Sequence, residues 1–175
     1  MEDLKYDIWL SSIKGIGPIK YYKLKEKYLL AKNIWELSKI ELEEIELSDE
    51  IINSILDKEN KNKMDDIIET LNNNQIKIIS KENSNYPDIL KNNINAPVFL
   101  YVKGNEKIFN NYGIAVVGSR ECSDYGMKVA KYFSKELSER SLNIISGMAR
   151  GIDSAAHNGC IESNRTNYSS DRQWV

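Results

Sequence analysis

Two short segments of the 175-residue chain bring together residue types suited to holding an anion. The first, Gly113-Ile-Ala-Val-Val-Gly-Ser-Arg120, is an apolar run that ends in a glycine, a hydroxyl and a guanidinium, just before a helical pattern opening at Tyr125 or Gly126. Gly118 lets a backbone approach a ligand closely, Ser119 offers a hydroxyl, and Arg120 supplies charge in a fork of donors. The second, Asn143-Ile-Ile-Ser-Gly-Met-Ala-Arg-Gly-Ile-Asp-Ser-Ala-Ala-His157, repeats that chemistry. Here Ser146 and Gly147 stand where backbone N–H groups can form an anion nest, Arg150 can reach a phosphate, and Asp153 can cap or brace the loop. Ligands of open parallel sheets bind beyond the carboxyl ends of the strands, so two such turns on neighbouring strands would aim both arginines at one crevice. Either turn alone fits an ordinary strand-to-helix connection with a solvated arginine equally well.

Other candidates carry less. His157 lies four residues after Asp153, a spacing that permits a carboxylate–imidazole contact on a helix. No nucleophile completes a Ser/His/Asp arrangement, so His157 is expected to pack or hydrogen-bond at the helix start, and no catalytic residue is assigned. Tyr125 fits stacking on a base and fits packing equally. Cys122, Cys160 and one histidine are too few for a disulfide framework or a zinc site, and neither metal nor cofactor is expected.

The elements that would position these residues fall into two patterns. From Leu4 to about Leu71 apolar residues recur at helical spacing, as in Ile8, Leu10 and Ile13, then Ile34, Leu37 and Ile40, then Ile51, Ile52 and Ile55. Ser48 is placed to cap the helix after it. Ile13-Lys-Gly-Ile-Gly-Pro18, followed by Leu24 and surrounded by Lys14, Lys20, Lys23, Lys25 and Lys27, resembles a helix-hairpin-helix motif whose glycines expose N–H groups to a phosphate. The alternative is a helical accessory domain that packs on the α/β part. Asn72-Asn73-Asn74 marks the expected boundary. Beyond it come β-branched runs at Ile76 to Ile79, Val98 to Val102, Ile114 to Val117 and Asn143 to Ile145, which read as strands. Helices are expected over Tyr125 to Arg140 and Ile152 to Ser163, giving a doubly wound parallel α/β sheet. Crossover rules ask for a further strand after the last helix, and residues 165–175 show no strand character.

Charge follows the same division. Residues 1–75 hold 11 Lys against 16 acids, a net −5, whereas 76–175 hold 13 Lys and Arg against 10 acids, a net +3, and include every arginine. The second part is therefore the better phosphate site. No run approaches the length of a membrane span, and Met1-Glu2-Asp3 lacks the character of a leader, so no membrane partner and a cytoplasmic location are expected.

VVGSR with Ser123 and Tyr125-Gly126, then IISGMARGIDSAAH, is similar to the signature of the DprA/Smf family almost residue for residue. Tyr86-Pro87-Asp88-Ile89-Leu90 and Ala96-Pro97-Val98-Phe99-Leu100-Tyr101 resemble that family's entry into its Rossmann-like domain. The resemblance implies an N-terminal helical domain (SAM/helix-hairpin-helix-like) over 1–72 and an incomplete Rossmann-like parallel sheet over 73–163. It implies a nonenzymatic protein that binds and protects single-stranded DNA and helps load RecA during natural transformation. Gly118, Ser119, Arg120, Ser146, Gly147 and Arg150 would form the DNA-phosphate pocket, with Tyr125, Gly151, Asp153 and His157 in supporting positions. A nucleotide-processing enzyme of the similar LOG fold is the rival reading, but the chain lacks its PGGxGTxxE-type motif. A third reading makes the helical part an interaction module by itself.

The family continues after its last helix here with an apolar strand near TIAVLGNGLD. Codons for Thr166 onward can be chosen so that deleting one A spells TIIAVIGNG, and 164–175 are therefore expected to be an out-of-frame tail. On that expectation the later lysine and aromatic DNA contacts, the main dimerisation surface and the RecA-binding surface lie mostly beyond residue 175, and DNA binding is impaired.

Overall fold

The computed structural model describes residues 2–163 and 167–169. The chain divides into two compact units, Met1–Lys107 and Ile108–Val175.

The first unit is built on six helices: α1 (Glu2–Ser12), α2 (Pro18–Tyr28), α3 (Ala31–Glu36), α4 (Lys39–Glu43), α5 (Asp49–Leu56) and α6 (Lys58–Asn73). Their apolar stripes meet in one core containing Ile8, Trp9, Leu10, Ile34, Ile52 and Ile55. Between α1 and α2 the chain turns through Gly15 at φ 92°, and Pro18 opens α2 where its missing N–H costs nothing. Ser48 stands at the N-cap of α5 without a side-chain cap bond. The capping box lies before α4 instead, where Ser38 and Glu41 exchange hydrogen bonds.

The first two strands depart from the expected parallel sheet. β1 (Lys77–Ser80) and β2 (Phe99–Val102) pair antiparallel as a separate two-stranded sheet, in register Lys77↔Val102 through Ser80↔Phe99. Between them lie residues 81–98, whose only helix is the four-residue α7 (Asp88–Lys91), so no crossover helix runs back along the strands. Fully buried Tyr86 donates its hydroxyl to the Pro97 carbonyl at 2.7 Å and so ties the Tyr86-Pro87 and Ala96-Pro97 segments together. Val98 and Phe99 complete the helical core, which is why the division falls after Lys107 and not at the asparagine run ending at Asn74.

The second unit alternates strand and helix: β3 (Gly113–Ala115), α8 (Asp124–Glu139), β4 (Asn143–Ser146), α9 (Ile152–Glu162) and β5 (Asn167–Ser169). The sheet order is β3-β4-β5, all parallel. Ser123 caps α8 by accepting from the Gly126 N–H at 3.1 Å. Against α8, α9 packs through small residues: Ala130, Ser134, Ser138, Ala155, Ala156 and Cys160 are buried, and a Cβ at Gly159 would run into the Lys131 carbonyl. The Ser138 hydroxyl and Cys160 sulfur lie 3.0 Å apart in this contact. Both helices begin and end within a residue or so of their predicted bounds.

β5 corrects the expectation that no strand follows α9. Ile144↔Asn167 through Ser146↔Ser169 pair in parallel, because the open edge of β4 supplies backbone partners whatever the side chains. The remaining residues of the expected out-of-frame tail, 164–166 and 170–175, lie outside the described residues.

Candidate nucleic-acid interface

The turns after β3 and β4 meet, and one buried carboxylate joins them. Asp153, 6% exposed at the start of α9, accepts from the Gly118 N–H at 3.3 Å through Oδ1 and from the Gly147 N–H at 3.1 Å through Oδ2. The nest read from the sequence thus exists, and an anion of the chain itself fills it. Asp153 is a brace, as its position suggested. The N–H groups of Gly118 and Gly147 are consequently not open donors for a phosphate.

Gly151 makes a second junction. Its φ of 85° favours glycine, and a Cβ there would collide with the carbonyl oxygens of Ser119 and Arg120. The Ile152 N–H also donates to the Ser119 carbonyl at 3.3 Å. Backbone of the first turn therefore rests on the residue that follows Arg150. Sequence reasoning gave Gly151 only a supporting place; the signal available was a glycine wedged between Arg150 and the helix. Gly118 likewise serves packing, since a Cβ on it would come within 2.7 Å of the Ile152 side chain.

The hydroxyls are occupied. Ser146, 2% exposed, donates to the Val116 carbonyl at 2.7 Å and stitches β4 to the end of β3. Ser119 donates to the Glu121 carbonyl at 2.6 Å and accepts from the Glu121 N–H at 3.2 Å, shaping its own turn. Two of the expected ligand contacts are thus structural ones. Arg120 and Arg150 face solvent at this rim, neither ion-paired among the described residues, alongside exposed Val117, Met148 and Glu121.

Tyr125 is 77% exposed in the first turn of α8. His157 is half-buried with its Nε2 enclosed and without a hydrogen-bond partner, and Asp153 spends its carboxylate on the two glycines. The imidazole–carboxylate contact that the spacing permitted is not made. Among the described residues no cluster of His, Cys, Asp and Glu could hold a metal ion, and no helix is long and apolar enough to cross a membrane.

Comparison with known proteins matches the arrangement to one family. The model of the DNA recombination-mediator protein A family matches residues 77–169. Protein Smf of Synechocystis sp. is 28% identical over 163 residues, covering 89% of this chain and 41% of that protein. DNA processing protein DprA of Streptococcus pneumoniae is 43% identical over 77 residues, 44% of this chain and 27% of that one. The X-ray structure of DNA processing protein A (DprA) from Streptococcus pneumoniae superposes with a TM-score of 0.66 at 27% identity, over 93% of this chain and 56% of that one. The chain spans about half or less of the length of these relatives. Parallel sheet, paired turns and matched segment together make the chain a member of the DNA recombination-mediator protein A family.

Proposed function

We propose that the second unit binds single-stranded DNA through its phosphates, without catalysing a reaction on it, and in doing so serves DNA protection and RecA loading. The observation that carries this reading is the pair of exposed arginines, Arg120 and Arg150, on turns that touch through Gly151. Two guanidiniums on adjoining loops suit a chain of phosphates, which each can grip in a bidentate way. Membership in a recombination-mediator family favours this over the nucleotide-processing reading.

With the glycine N–H groups and serine hydroxyls engaged inside the protein, the arginines carry the attraction. Binding should therefore be weak, tolerant of sequence and sensitive to salt. Fluorescence anisotropy with a labelled thymidine oligonucleotide tests it. Arg120→Ala and Arg150→Ala should each weaken binding roughly tenfold, in line with about 1.5 kcal/mol for a hydrogen bond to a charged group. A folded chain that ignores the oligonucleotide at low salt, or arginine variants that bind like the parent, would overturn the proposal.

A further inference from the structure

Beside the arginine rim a cleft of about 240 Å³ opens between α8 and α9, with Met127, Lys128 and Lys131 on one wall and Gly151, Ser154 and Asn158 on the other. Gly151 belongs to both features, so the cleft starts where the two turns meet. Lys128 is exposed and makes no ion pair among the described residues, while Lys131 is held by Glu162 at 2.6 Å. On either side of the lysines the same helix carries two exposed aromatics: Tyr125 is 77% and Tyr132 60% exposed. Residues 125, 128 and 132 are spaced i, i+3, i+7 and form one stripe, with the tyrosines roughly 10 Å apart along the axis. Two tyrosines with an unpaired lysine between them are the chemistry of a single-strand track, where faces of bases stack and phosphates meet cations. A protein partner would need an acidic side chain placed between two apolar contacts, whereas every nucleotide of a strand brings both a base face and a phosphate.

We infer that a DNA strand held at the Arg120 and Arg150 turns continues along α8, its phosphate meeting Lys128 at the cleft and its bases stacking on Tyr125 and Tyr132. The inference rests on the proposed single-strand binding and extends it to a second stretch of the molecule. Anisotropy titrations of the full chain with labelled oligothymidine at several salt concentrations separate the two. Lys128→Ala should weaken binding several-fold and lower the salt slope by about 0.7, the loss of one phosphate contact on a single strand, and Lys128→Arg should restore both. Tyr125→Ala with Tyr132→Ala should cost roughly tenfold or more with the salt slope unchanged, and the corresponding Phe pair should bind like the parent. All these side chains are exposed, so thermal melts should not move. If Arg120→Ala weakens binding while the lysine and tyrosine variants match the parent, the α8 track is refuted and the proposed function stands. If the parent itself does not bind, both fall.

Discussion

Asp153 shows what a residue list leaves open. Its type and its place in the first turn of α9 suggested a brace, but not that each carboxylate oxygen would take one N–H from a different turn. The same economy explains why Ser146 and Gly147 were legible as parts of the site and not in their actual duties: a sequence shows donors, and only geometry shows what they are already donating to. Asp153→Asn keeps the size but offers one carbonyl oxygen where two acceptors are used, and its amide turns a donor toward a donor. We expect a loss of about 1.5 to 3 kcal/mol, read as a lower urea midpoint at unchanged slope. The intact carboxylate also fixes both turns before any ligand arrives. Association should then show a single fast phase governed by salt, as little loop ordering remains to be done on binding.

At the scale of elements, helical spacing located α8 closely although its apolar repeat is not its buried face: Phe133 is 55% exposed, and Ala130, Ser134 and Ser138 are buried against α9. Periodicity failed for β1 and β2, which look like the later strands in composition but are joined without a crossover helix. It failed also for β5, whose three residues carry no β-branched side chain and owe their strand to the edge of β4. The closeness of α8 to α9 left one trace in the sequence, Gly159, in the middle of a helix where glycine is otherwise a poor choice. Gly159→Ala improves intrinsic helix propensity and places a methyl against the Lys131 carbonyl. The clash should win, costing about 1 to 3 kcal/mol of overpacking strain, and thermal unfolding of the variant should be earlier.

On the scale of the whole molecule the two units answer to different conditions. In the helical unit Tyr21 and Tyr22 are pushed well above the ordinary phenol range, first by burial and then by donating to Asp7 and Glu82 respectively at 2.8 Å. A raised folded value means that the native state holds these protons more tightly than the unfolded chain does. The stability they contribute is complete below the unfolded value of about 10 and is lost as pH climbs past it. Urea midpoints followed by Trp9 and Trp35 emission should therefore fall between about pH 8 and about pH 11. The antiparallel pair has a further consequence for anyone transplanting the helical unit. Val98 and Phe99 plug the floor of the helical core, so a piece cut after α6 would carry a hole where two apolar side chains stood. Filling such a hole is worth about 1.5 to 3 kcal/mol per residue, enough to turn a cooperative melt into a gradual one. The portable module is therefore longer than its helices and must take its small sheet along.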